Sequence, residues 1–156
     1  MTTNSLNTQM PVYQVISSKT NSVVTCNGSL PRDDTIPQNT EGTEILTVTL
    51  TPRSSTSKLF IEFFAPLGVD SYTSAANIAL FQDATADALS AASFRYSYMI
   101  YFNHFITSGT ESSTTFKIRI GYPTVVGTYI NGDDAGNRIM GGVSNAYMKV
   151  TEYLIE

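Results

Sequence analysis

The chain has one histidine, His104, and one cysteine, Cys26, in 156 residues. A histidine-based metal site inside one chain would have to complete its ligand set from carboxylates or Cys26, and no spacing supports that. His104 reads as a partly buried, hydrogen-bonded side chain on an aromatic strand. Its alternative role needs three copies meeting on a trimer axis, to hold a metal or titrate together. A Ser-His-Asp triad has no G-x-S-x-G turn here to present its nucleophile. Asn131-Gly132-Asp133-Asp134-Ala135-Gly136-Asn137 gathers two carboxylates, two amides and two glycines, as a calcium loop does. The register fails, because an EF-hand loop needs a ligand fifth and glutamate twelfth, and these places hold Ala135 and Gly142. The segment reads as the tip of a hairpin. Asp33 and Asp34 are adjacent, so on an extended chain they point to opposite sides and cannot flank one glycosidic bond. They read as turn carboxylates. Gly127 and Gly141-Gly142 open no helix after a strand, which leaves bulges or turns rather than a phosphate cradle. Tyr72, Tyr122 and Tyr129, near loop-rich ends, offer rings that could stack on sugars, against the alternative of ordinary strand or rim residues. No catalytic, cofactor-binding or metal-binding residue emerges, and the chain reads as a non-enzyme.

Charged residues make up only 14% of the chain and hydrophobic residues 42%, with a formal net charge of −4. A usual charged share is about 25%, so part of the surface is expected to lie under neighbours. The acidic balance argues against nucleic acid and against an anionic membrane surface, since neither is attracted without a basic patch. No stretch approaches the roughly 18 apolar residues of a membrane span, and the first eleven residues lack the basic and apolar regions of a signal peptide. A lone cysteine fits folding in a reducing cytoplasm. The sequon Asn27-Gly28-Ser29 then reads as a turn.

These residues must be positioned by strands. Runs rich in Thr, Tyr, Phe, Val and Ile, separated by Gly, Pro, Asn, Asp and Ser, predict strands at Val12–Ser17, Ser22–Cys26, Thr43–Thr51, Lys58–Ala65, Ala76–Gln82, Phe94–Thr107, Ser113–Gly121, Val125–Ile130 and Tyr147–Ile155. The expected fold class is all-β, a two-sheet antiparallel β-sandwich of the jelly-roll type. Residues 1–11 form an N-terminal arm, ordered only by contacts with other chains, and 12–156 a single domain. Asp83–Ala92 connects two strands as a hairpin or a single helical turn, with a short helix as the alternative. Leu46, Val48 and Leu50 share one face, as do Phe116, Ile118 and Ile120, with Lys117 and Arg119 opposite. Leu59–Phe64 and Phe94–Ile106 carry apolar groups on both faces. If Leu59, Ile61 and Phe63 fill the core, Phe60 and Phe64 point outward. In the second segment either Phe94, Tyr96, Tyr98, Ile100 and Phe102 or Met99, Tyr101 and Phe105 must do the same. Phe60, Phe64, Tyr101 and Phe105 are the expected subunit-interface residues.

Pro31-Arg32-Asp33-Asp34-Thr35-Ile36-Pro37-Gln38-Asn39-Thr40-Glu41-Gly42, followed by Leu46–Pro52 and Ser57-Lys58-Leu59, resembles a motif and strand pair of small tailed-bacteriophage virion proteins and phage fibre modules. The resemblance continues through Ala79–Asp83, Thr107–Arg119, Met140–Gly142 and Val150–Glu152, covering Val12 to the C terminus. Ser57 departs from it, standing where asparagine is common, and so does the strongly aromatic Phe94–Phe105 segment. The resemblance implies a jelly-roll virion protein assembled in the host bacterial cytoplasm. It further implies a homotrimer that contacts other capsid or tail proteins as capsid decoration, head fibre or tail fibre. The alternative it leaves is a tail-fibre receptor-binding module that recognises host polysaccharide. No cofactor is implied.

Overall fold

The computed structural model describes residues 10–69, 75–95, 97–123 and 127–155. The described residues form ten strands: β1 (Val12–Thr20), β2 (Val24–Thr25), β3 (Thr43–Leu50), β4 (Lys58–Val69), β5 (Ala75–Gln82), β6 (Ser90–Arg95), β7 (Met99–Thr107), β8 (Thr114–Gly121), β9 (Thr128–Ile130) and β10 (Ala146–Tyr153). They form two antiparallel sheets. One runs β1-β10-β4-β7 and is extended beyond Leu67 by β9 and β2; the other runs β3-β8-β5-β6. The chain crosses between sheets from β3 to β4, β4 to β5, β6 to β7 and β7 to β8, which is the double-sheet wrapping of a jelly roll. Residues 1–9 of the expected arm lie outside the described residues. At its end, Pro11 accepts a hydrogen bond from the Leu154 amide.

Period-two alternation builds the core. Leu46, Val48 and Leu50 of β3, Leu59, Ile61 and Phe63 of β4, and Phe116, Ile118 and Ile120 of β8 all belong to one buried apolar cluster between the sheets. Phe60 and Phe64 then fall on the outer side of β4 and stay partly exposed. Asp83–Leu89 is a hairpin connection rather than a helix. Asp83 sits at φ +53° and accepts hydrogen bonds from the Thr114 hydroxyl and the Thr115 amide, so its carboxylate ties the turn to β8.

The expected single strand Phe94–Thr107 is corrected to two strands in different sheets. Fourteen extended residues would span about 46 Å, longer than β4, which has 12 residues. The break falls after Arg95. There the Ser97 hydroxyl donates to the Met99 carbonyl and accepts from the Met99 amide, closing a local loop that competes with the ladder. Much of the two-sided apolar pattern is explained by the change of sheet: Phe94 packs against the core from β6, and Ile100 and Phe102 enter it from β7. Tyr98 lies in the break and is exposed; Tyr96 is outside the described residues.

The register makes a sharp energetic prediction. Phe63→Ala, at a fully buried position, is expected to cost about 3–5 kcal/mol in urea denaturation, and Phe60→Ala roughly 1 kcal/mol. A larger loss for Phe60→Ala than for Phe63→Ala would show the strand shifted by one residue.

Candidate functional site

The outer face of β1-β10-β4-β7 is built in rows that run across four strands. Ladder register places Lys19, Tyr147, Phe64 and Tyr101 in one row, Ser17, Lys149, Glu62 and Asn103 in the next, and Val15, Thr151, Phe60 and Phe105 in the third. Two rows rich in aromatic rings therefore enclose a polar one. Within the face the rings pack on each other: Phe64 stacks on Tyr147 at 5.7 Å, Phe60 lies 6.2 Å from Phe105, and Phe105 lies 6.4 Å from Tyr153. Mutual packing leaves Phe60 and Phe64 half-buried, whereas Tyr101 remains 50% exposed, Phe105 47% and Tyr147 37%. Tyr13, Val15 and Met99 extend the exposed apolar surface to its margins.

The polar row is internally paired. Lys149 Nζ lies 2.6 Å from Glu62 Oε2, and the Tyr101 hydroxyl donates to Glu62 Oε1 at 3.1 Å. The hydrogen bond to Glu62 raises the Lys149 pKa, so its ammonium is held charged, and the same carboxylate raises the Tyr101 phenol. The two charges at the middle of the face cancel.

Of the four expected interface residues, all project from this one face. The signal missed from sequence was β10: Tyr147 completes the first aromatic row, Tyr153 flanks the third and packs on Phe105, and only the β4–β10 ladder shows that the two stand beside Phe64 and Lys58.

The segment from Pro31 to Gly42 has another task. It crosses the outer side of the second sheet and clasps the β5–β6 turn. Asn39 donates through Nδ2 to the Thr85 carbonyl at 3.0 Å, and its amide donates to Ala86; Gln38 Nε2 reaches Asp87, and the Ala88 amide donates to Pro37. Arg119 anchors the other end by donating to the Glu41 and Gly42 carbonyls. Asp33 accepts from both the amide and the hydroxyl of Thr35, and that hydroxyl bond is the main reason its pKa is lowered. These are turn contacts, as expected for this carboxylate.

The other candidates resolve similarly. His104 shares the inward side of β7 with Ile100, Phe102 and Ile106, and burial lowers its pKa. Packing through the outer face would leave it away from the contact. Asp133 accepts from the side chain and amide of Asn137 and the amide of Ala135, closing the hairpin tip and lowering its pKa through the same bonds. Among the described residues no group of three or more His, Cys, Asp or Glu side chains is placed to hold a metal ion.

Tyr122 and Tyr129 are ordinary strand or core residues, the alternative to rings that stack on sugars. Tyr122 is buried at 2% exposure, because it continues the inward Phe116, Ile118, Ile120 alternation of β8 into the main core; its carbonyl accepts from the Leu30 amide and the Ser29 hydroxyl. Tyr129 is half-buried, with Gly136 lying so close that an added Cβ would meet the ring at 2.6 Å. Tyr72 is outside the described residues. The exposed loop-end tyrosine is Tyr98, which borders an apolar slot with Leu67, Ile139 and Asp134.

No family model and no curated protein matches the chain. Among solved structures, the C-terminal domain of EclA, a sugar-binding protein, aligns at a TM-score of 0.42 and 11% identity, covering 83% of each chain. The Yersinia pseudotuberculosis-derived mitogen aligns at a TM-score of 0.23 and 11% identity, covering 71% of this chain and 86% of that one. Likenesses this remote carry no weight for function.

Two outcomes are expected from these contacts. Asn39→Ala should lower stability by about 1 kcal/mol, a fall of roughly 2–4 °C in thermal melting followed by circular dichroism, because the clasp loses its side-chain bonds. An unchanged melting temperature would show that the clasp does not hold the turn. Burial pushes the Cys26 thiol up from 9.0 to about 12. The thiol should therefore resist maleimide at pH 8 until urea unfolds the chain. With the folded value raised, its contribution to stability is complete below pH 9 and is lost as pH rises toward 12. Fast labelling of the folded protein would contradict the buried assignment.

Proposed function

We propose that this chain is a non-enzymatic structural subunit of a bacteriophage virion, which assembles as a trimer through the outer face of β1-β10-β4-β7. The observation that carries the reading is the row of exposed rings on that face. Tyr13, Tyr101, Phe105 and Tyr147 are 37–50% exposed, and at about 200 Å² per ring they offer roughly 350 Å² for burial. Val15 and Met99 bring the patch to the upper end of the 300–600 Å² found on monomers, and above half of the about 800 Å² per partner in a standard interface. At about 25 cal/mol per Å² the rings alone supply on the order of 9 kcal/mol of gross burial per subunit, before association costs. That is below the gain expected if Phe60 and Phe64 were fully free, because those two rings are already covered within the chain.

Electrostatics supports the same use. A lone carboxylate in the middle of an interface would be costly to strip of water, whereas Glu62 carries its own ammonium and phenol partners into the contact. The count of three, the virion setting and the roles of capsid decoration, head fibre or tail fibre rest on the resemblance carried by Pro31–Gly42 and the strands that follow it.

Light scattering during size-exclusion chromatography tests the reading. The chain should elute at three times its 17.0 kDa mass, and Tyr101→Ser with Phe105→Ser should give a folded monomer. Both positions are exposed, so the substitutions leave the core untouched. A trimer that survives the double substitution places the contact elsewhere, and a wild-type monomer at micromolar concentration removes self-association from the proposal.

A further inference from the structure

The outer side of the second sheet holds a pocket of about 220 Å³ between the Pro31–Pro37 crossing and β6. Its bed is apolar and small, formed by Leu30, Pro37 and Ala91; its rim is polar, formed by Arg32, Asp33 and Ser93. Asn77 of β5 forms part of the wall and is 5% exposed. Its Nδ2 donates to the Leu30 carbonyl at 2.8 Å, which fixes the orientation of the amide. Oδ1 is then left buried without a donor.

An unpaired buried acceptor costs about 1–3 kcal/mol, so a site that keeps one either holds water or receives a donor from a ligand. Among the described residues three other buried polar atoms lack partners, on Ser57, Thr128 and Asn131, but none of those residues lines this pocket or the Tyr98 slot. Of these four residues, Asn77 is the one that lines either of the two pockets described. The volume is below the 300 Å³ or so at which drug-sized sites begin, which limits the occupant to a small one. The rim pairs one cation, Arg32, with one anion, Asp33, so it favours a neutral ligand. A ligand that lays a C–H face on an apolar bed and spends hydroxyls on acceptors and donors around it has the chemistry of a single sugar ring.

We propose that this pocket binds one neutral sugar residue, with a sugar hydroxyl donating to Asn77 Oδ1. The site lies on the sheet opposite the aromatic face and does not depend on trimer assembly, so the two proposals fail separately. When the aromatic faces are packed together, this pocket remains turned outward.

The test is titration of the full-length 15N-labelled protein with methyl α-D-glucopyranoside, methyl α-D-galactopyranoside and N-acetyl-D-glucosamine, followed by two-dimensional NMR. At least one sugar should shift the Asn77 side-chain NH2 and the Ser93 amide saturably, with a millimolar dissociation constant. Ala91→Phe, an exposed position on β6 whose ring would fill the bed, should weaken binding by about tenfold or more. Ser93→Trp, which covers the rim from the strand edge, should do the same and serves if the first variant is unstable. Absence of a saturable shift at Asn77 with all three sugars would show that water alone occupies the acceptor and overturn the proposal. Undiminished binding in a folded Ala91→Phe or Ser93→Trp variant would also overturn it, by placing the sugar elsewhere.

Discussion

The common core that β4 and β8 enter from opposite sheets is the constraint from which the rest follows. Leu59, Ile61 and Phe63 occupy the same buried cluster as Phe116, Ile118 and Ile120, and each of the six is 0% exposed. Because side chains alternate along a strand, committing those residues inward commits Phe60, Glu62 and Phe64 outward with no freedom left. The ladders to β7 and β10 then set Phe105, Asn103 and Tyr101 on one flank and Thr151, Lys149 and Tyr147 on the other. The aromatic face is thus a consequence of core register. A slip of one residue would bury Glu62 and expose Phe63 at once, so the core and the surface enforce the same pairing.

Much of this was legible in the sequence because β3 and β8 alternate apolar with polar residues, which sets Leu46, Val48, Leu50, Phe116, Ile118 and Ile120 inward. What failed to show was the division of Phe94–Thr107. Its apolar run is continuous in both faces, and the hydrogen bonds of Ser97 that break it are local polar contacts that a hydrophobicity pattern does not record. Tyr122 lies just beyond β8, where the neighbouring Gly121 and Pro123 suggest a loop, yet it keeps the inward side of Ile118 and Ile120 and enters the main core. Glu152 illustrates the limit most directly. It is 0% exposed on the inward side of β10, and it is satisfied by the Arg53 amide at 2.7 Å and by Gln14 at 2.5 Å, partners 99 and 138 residues away.

The polar motif from Pro31 to Gly42 is specific because its contacts are. A loop crossing the outside of a sheet must pair its backbone groups without a ladder, and here side chains at Asn39 and Gln38 and the guanidinium of Arg119 take up that work. The crossing also needs close backbone approach. A Cβ on Gly28 would stand 2.3 Å from the Gly42 carbonyl carbon, and one on Gly121 would stand 2.5 Å from the Gly28 oxygen. Larger residues at either place would lift the crossing off β8. Below it, Leu30, Ala79 and Phe81 form a second, small apolar cluster on what would otherwise be a bare outer face.

The two outer faces therefore solve the same problem differently. On the β5 side, apolar residues pointing away from the main core are covered by the chain itself, and the cover leaves one gap, at Asn77. On the β4 side no segment among the described residues lies over the rings; they pack edge to edge and remain 37–50% exposed at Tyr101, Phe105 and Tyr147. Covering those rings is left to something outside this fold. A second copy fits that need physically, since an aromatic face whose central charges are already paired with one another demands no complementary charge from its partner. In a three-fold ring each copy of the face meets a different part of the same face on the next copy, and because Glu62 and Lys149 are already paired within each chain, no unpaired like charges need meet there.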